Sequence, residues 1–242
     1  MKGLHMLKYT LPGEQPISLV LSEKERGKLF LGNLDCLHNQ QILEINNVNC
    51  ILSICTEESN KFQYIEIMMG PKYKQIYLDI HDNMNSQISN VFERSFLFIE
   101  KALKSQQNVL VHCAAGISRS ATLVLAYLMK SYQYTVEQAL RFLKQKRPYV
   151  RPNPGFLLQL LDYETMLYGC ITSNLGPDLT PFDIQREPQY KPQPKVDLRK
   201  SLPLKQVPGP SPVARVDRKT HTEILTRVSQ SISTFQPKAF KS

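Results

Sequence analysis

Val109-Leu110-Val111-His112-Cys113-Ala114-Ala115-Gly116-Ile117-Ser118-Arg119-Ser120-Ala121 is the stretch that decides the fold. The apolar run Val109 to Val111 reads as a short buried strand, and the apolar segment Ala121 to Met129 as a helix. A tight loop between them sets the Cys113 sulfur at the centre of a ring of backbone N–H groups. Those donors, together with the helix N-terminus, make an anion site. Arg119 closes it with a planar fork that matches two phosphate oxygens. The same field favours the thiolate form of Cys113, the form that acts as a nucleophile.

Outward from this stretch the pattern repeats. Lys28 to Leu31 followed by Gly32-Asn33, Cys50 to Cys55 and Gln75 to Ile80 are further short strands. Fully apolar strands separated by helices predict an α/β fold with a central, mostly parallel sheet flanked by helices. Residues 1–26 read as irregular or weakly stranded, and Gln40 to Asn46 as a short helix. Val91, Phe92, Phe96, Ile99, Ala102 and Leu103 share one face of a helix from Ile88 to Ser105. Ala121 to Lys130 is apolar nearly all round, which predicts a central helix packed under the sheet. Thr135 and Gln138 form a capping-box pattern that opens a helix ending near Pro148. Pro154 suits a first helical position, and Gly169 ends the last helix.

Beyond Cys170 the composition changes. Ten of the sixteen prolines lie between Pro177 and Pro237, and apolar periodicity is lost. The net charge of +9 is uneven: residues 171–242 carry twelve Lys/Arg against six Asp/Glu. A solvated, disordered basic tail is expected there rather than a nucleic-acid-binding arm, with one short helical pattern from Ile224 to Ile232. The resulting organisation is an N-terminal extension over 1–26, a domain over 27–170 and a tail over 171–242.

No apolar run is long enough to span a membrane. Met1 to Ser18 lacks an apolar signal core, and Lys2 does not fit N-myristoylation, so neither secretion nor that anchor is expected. The five cysteines are scattered, with no Cys-x2-Cys pair to suggest zinc. A reducing, intracellular setting fits them. A cytoplasmic location is expected, with nuclear entry left open.

The spacing Cys113-x5-Arg119 resembles the signature of the cysteine-dependent protein phosphatases. The fuller string His112-Cys113-x-x-Gly116-x-x-Arg119-Ser120 resembles the tyrosine and dual-specificity branch, and the Ala-Gly-x-Ser-Arg-Ser form resembles the one common among dual-specificity enzymes; with no second phosphatase-like or kinase-docking domain read ahead of it, an atypical, single-domain member is expected. The resemblance runs from about residue 27 to 169. It implies hydrolysis of phosphotyrosine, phosphoserine and phosphothreonine in proteins through a phosphocysteine, with no cofactor or metal. Cys113 is then the nucleophile. Arg119 and the N–H groups of Ala114, Ala115, Gly116, Ile117, Ser118 and Arg119 bind the phosphate oxygens. His112 braces the loop, and the Ser120 hydroxyl assists breakdown of the intermediate.

The general acid is expected on the loop after Gln75 to Ile80. Asp82 followed by Ile88 fits the family spacing, and Asp79, inside the strand pattern, is the other candidate. Arg151-Pro152-Asn153-Pro154-Gly155-Phe156 with Gln159-Leu160 resembles a late motif in which the asparagine supports the phosphate loop. Asn153 as a plain helix cap is the second reading. Some family members keep a second thiol where Cys55 stands, near enough to trap an oxidised nucleophile; a packed strand cysteine is the other reading. The loop carries no lysine, unlike inositol-lipid phosphatases of the superfamily, which favours phosphoprotein substrates.

Arg199-Lys200-Ser201-Leu202-Pro203-Leu204 resembles a docking sequence for mitogen-activated kinases, with two basic residues ahead of Leu-x-Leu. Ser211-Pro212 fits a phosphorylation site. Two other functions remain open on the sequence: a pseudophosphatase-like module that binds phosphorylated residues, and a phosphatase for a non-protein phosphomonoester such as an RNA 5′ end.

Overall fold

Five strands hydrogen-bond in the order β1-β2-β5-β3-β4. They are β1 (Ile17–Ser22), β2 (Lys28–Gly32), β3 (Val48–Cys55), β4 (Lys74–Asp79) and β5 (Asn108–His112). β1 pairs antiparallel with β2, and the β2–β5, β5–β3 and β3–β4 pairs are all parallel. The mostly parallel sheet expected from the apolar runs is therefore present. The computed structural model describes residues 9–11, 13–56, 72–169 and 173. Every element lies in the unit Met1–Ser173. The tail readings (a helix within 224–232, the docking string at Arg199 to Leu204, Ser211-Pro212) and Cys170 lie outside the described residues.

β5 occupies the middle of the sheet because its side chains are apolar on both faces. Val109, Leu110 and Val111 are fully buried, and each contributes roughly 1.5–3 kcal/mol of apolar burial. One face is covered by α1 (Asp35–His38) and α2 (Gln40–Ile45), where Phe30, Leu34, Leu37, Leu43, Ile51 and Leu110 form one cluster. The other carries α3 (Phe92–Lys104) and α4 (Arg119–Tyr132), and α6 (Pro154–Tyr168) packs on α4. α5 (Val136–Lys146) reaches β1.

Every residue of α4 from Arg119 to Met129 is buried, as an all-round apolar helix requires. It begins two residues ahead of the expected Ala121, so Arg119 is its first helical residue. The capping box at Thr135 and Gln138 is formed, and Gly169 at φ +79° ends α6.

The structure also departs from the sequence expectation at α1, which was not expected, at residues 17–22 and at residues 88–105. Residues 17–22, read as irregular or weakly stranded, are the edge strand β1, with a register shift between Leu19 and Leu21 that interrupts the alternation. The predicted helix over 88–105 is instead a 3-10 turn, Ile88–Val91, followed by α3. The Ser89 N–H donates to Gln159 Oε1 at 3.0 Å, which ties this turn to α6. Among the described residues no helix is long and apolar enough to cross a membrane.

Candidate active site

The loop from Cys113 to Ser118 joins the end of β5 to the start of α4, and its backbone polarity is sorted. Each of its carbonyls from Ala114 to Ser118 accepts a hydrogen bond from outside the loop. Leu34 N donates to Ala114 O at 3.0 Å, Arg151 N to Ile117 O at 3.0 Å and Thr122 N to Ser118 O at 2.8 Å. Arg147 supplies the other two: Nη2 to Ala115 O at 3.2 Å and Nε to Gly116 O at 2.9 Å. Carbonyls held outward turn the N–H groups inward, because each peptide is a trans plane. The Gly116 N–H meets the Cys113 sulfur at 3.2 Å. Gly116 sits at φ +70°, and a Cβ there would stand 2.6 Å from Gly32 O, so only glycine fits.

Cys113 is buried, and Ser120 from the first turn of α4 donates its hydroxyl to the same sulfur at 3.1 Å. No side chain caps α4, which leaves its first-turn N–H groups as donors facing the loop. Arg119 is buried with its Nη1 donating to Ile80 O at 3.2 Å. Its Nε is buried and has no hydrogen-bond acceptor among the described residues. A buried guanidinium N–H beside a ring of inward amides is a donor suited to a phosphate oxygen.

Of the two candidate acids, only Asp82 reaches this loop. Its Oδ2 lies 3.6 Å from Arg119 Nε. Its Oδ1 accepts from Ser118 Oγ at 2.7 Å and from Asn153 Nδ2 at 2.8 Å. Asp79 is exposed at the end of β4. Asn153 lies at the start of α6, beside the loop. Its Oδ1 caps α6 by accepting the Phe156 N–H at 3.0 Å, and its backbone N–H donates to Ser118 Oγ at 3.1 Å. The loop carrying Asp82 lies directly on the start of α6, where a Cβ on Gly155 would stand 2.2 Å from Met84 O.

His112 is fully buried behind the loop. Nε2 pairs with Ser53 Oγ at 2.7 Å and Nδ1 with the Cys113 carbonyl at 3.3 Å. Burial pushes its pKa down to about 4; the hydrogen bond to Cys113 O opposes this, and the Arg119 charge adds to it. His112 is therefore neutral at physiological pH and braces the loop through hydrogen bonds rather than charge. Cys55, the candidate second thiol, is buried at the end of β3 in the cluster that also holds Cys36, Phe30 and Ile51.

Three side chains to which the sequence assigns no role also build this site. Arg147, just past α5, is fully buried under the loop. Burial lowers its pKa from the usual arginine value, and the Glu14 carboxylate opposes that. Gln159 braces the Asp82 loop, donating to Ser86 O at 2.9 Å as well as accepting from Ser89. Ser53 orients His112. The Gln159-Leu160 motif pointed to the second of these. Nothing local in the sequence marks the other two.

Residues 29–166 match the family model for the dual specificity phosphatase catalytic domain. The chain is 34% identical over 167 residues to dual specificity protein phosphatase 14 of Mus musculus, covering 66% of this chain and 81% of that protein. It is 42% identical over 142 residues to MAP kinase phosphatase with leucine-rich repeats protein 3 of Dictyostelium discoideum; the match covers 58% of this chain but spans only 16% of that protein's length. Among solved structures, the human tyrosine phosphatase-like serine/threonine/tyrosine-interacting protein superposes with a TM-score of 0.56 at 29% identity, covering 62% of this chain and 96% of that one. The chain belongs to the dual specificity phosphatase family, within the cysteine-dependent protein tyrosine phosphatase superfamily, and is a phosphatase enzyme.

Proposed function

We propose that this member of the dual specificity phosphatase family hydrolyses phosphotyrosine, phosphoserine and phosphothreonine in proteins through a phosphocysteine on Cys113. The observation that carries the reading is the sulfur itself. It receives the Gly116 N–H and the Ser120 O–H at the focus of a loop whose carbonyls all face away. Such a focus stabilises an anion at the sulfur and a dianionic phosphoryl group in front of it.

In the first step Cys113 Sγ attacks phosphorus, and the S–P bond forms as the P–O bond to the substrate oxygen breaks. Asp82 gives its proton to that leaving oxygen. Arg119 and the loop amides hold the three equatorial oxygens. In the second step water attacks phosphorus and loses a proton to the Asp82 carboxylate. Inorganic phosphate forms as the S–P bond breaks, and the sulfur regains the Ser120 hydroxyl bond that stabilises it as a leaving thiolate. Ser118 and Asn153 keep Asp82 over the loop in both steps.

Docking of a mitogen-activated kinase through Arg199, Lys200, Leu202 and Leu204 belongs to the same proposal, supported by the name of the Dictyostelium relative. A peptide spanning 195–208 that binds no such kinase would remove it. A cytoplasmic location is proposed with it, since a working thiolate needs reducing surroundings. The core proposal is tested by turnover of p-nitrophenyl phosphate and of a phosphotyrosine peptide with EDTA present. Cys113→Ser abolishes both activities, and Asp82→Asn slows the peptide far more than the activated ester. Phosphopeptide binding by the folded, reduced wild type with no turnover on either substrate would instead indicate a binding module.

A further inference from the structure

We propose that Arg147 and Glu14 are positioning residues of the phosphate loop, so that the segment ahead of β1 is part of the catalytic unit. The inference rests on the reading of the Cys113 loop as the phosphate site and extends it to residues far from that loop in sequence.

A guanidinium has five N–H donors in a fixed plane. At Arg147 four of them donate hydrogen bonds. Nε donates to Gly116 O and Nη2 to Ala115 O. Nη2 also lies 2.7 Å from Glu14 Oε1, an ion pair without a hydrogen bond. Nη1 donates to Gln15 O at 2.9 Å and to Ser18 Oγ at 3.3 Å. The fork therefore has one edge on the loop and the other on residues 14 and 15 ahead of β1 and on Ser18 within it.

The two loop carbonyls are not interchangeable with any others. The Ala115 carbonyl and the Gly116 N–H belong to one peptide plane, so fixing that carbonyl outward aims that N–H at the sulfur. The Gly116 carbonyl fixes the Ile117 N–H in the same way. Arg147 thus sets the orientation of two adjacent amides of the anion ring without touching the anion.

Glu14 sets the orientation of Arg147. Its side chain is 5% exposed, and neither of its carboxylate oxygens receives a hydrogen bond among the described residues, so the two side chains are held by charge. Its charge is compensated by Arg147 alone among the described residues. A lysine at 147 could not substitute: a single ammonium cannot span two loop carbonyls, a carboxylate and a third backbone carbonyl at once.

The test uses the full chain and the inhibition constant of orthovanadate, a phosphate mimic. That constant depends on loop geometry and not on the fraction of protein that is folded. Thermal transitions are recorded beside it. Arg147→Lys is expected to raise the vanadate Ki by about tenfold or more and to lower kcat in parallel, and Glu14→Gln by roughly threefold to tenfold. Glu14→Asp restores part of the loss. Thr135→Ala, which removes a helix cap remote from the loop, lowers the transition temperature and leaves Ki within about twofold.

An Arg147→Lys protein with Ki within about twofold of wild type overturns the inference. If Arg147→Lys does not fold, Glu14→Gln with unchanged Ki overturns it on its own. Wild type that vanadate does not inhibit overturns the phosphate-site reading as well, an outcome distinct from an inhibited wild type with indifferent variants.

Discussion

Acidifying the protein should unload stability through one buried ring. His112 is fully buried with its pKa pushed down to about 4, against an ordinary value of 6.5. The unfolded chain therefore takes up the proton first as pH falls. Stability from this residue is complete above pH 6.5 and is lost on the way down to about 4, where the folded form protonates too. Each unit between the two values is worth about 1.4 kcal/mol, so the whole loss is about 3 kcal/mol. About 1.4 kcal/mol of it falls between roughly pH 7.5 and 5.5, above the range where carboxylates titrate. Against a total of roughly 5–15 kcal/mol for a domain this loss is large. The assay is urea unfolding across that range for wild type and His112→Gln, the difference between the two isolating the imidazole. A wild-type curve that falls no faster than the variant's refutes the reasoning. So does a titration of the His112 ring signal by NMR that gives a folded-state value near 6.5.

Three further outcomes are expected. Gly116→Ala forces a side chain at φ +70° into Gly32 O and should cost roughly 2–4 kcal/mol; calorimetry would show a transition lowered by several degrees, and vanadate affinity falls with it. Asn153→Ala removes a hydrogen bond from Asp82 and should slow the phosphotyrosine peptide by about fivefold while leaving p-nitrophenyl phosphate nearly unchanged; in an Asp82→Asn background the same substitution adds nothing to the peptide rate, and an additive effect would contradict the pairing. Thr135→Ala breaks the capping box and should cost about 1 kcal/mol by urea unfolding, with kcat intact.

The parts of this site legible in the sequence are those whose partners are neighbours in the chain. Strand, Cys113, Gly116, Arg119, Ser120 and the helix after them occupy one continuous stretch, and short-range spacing encodes their geometry. Asp82 and Asn153 were legible through motif spacing, although Ser118, which ties the two together, was read only as a backbone donor. Arg147 was not legible, because its partners are backbone carbonyls 31 and 32 residues away and an N-terminal segment about 130 residues away. A carbonyl has no side-chain identity to leave a pattern. β1 was only half legible for a different reason: the register shift between Leu19 and Leu21 breaks the alternation that marks a strand. The tie between the 3-10 turn at Ile88 and Gln159 is likewise hidden, because the two lie 70 residues apart.

The outward carbonyls of the Cys113 loop separate two kinds of change open to evolution or to a designer. The hold on the loop acts on its main chain: from the backbone at Leu34, Arg151 and Thr122, and from the guanidinium of Arg147. The side chains of Ala114, Ala115 and Ile117 are partly exposed and take no part in it. Those three positions are thus free to be exchanged while the amide ring persists. Substrate preference can drift at the mouth of the pocket, one residue at a time, on a chemical engine that stays the same.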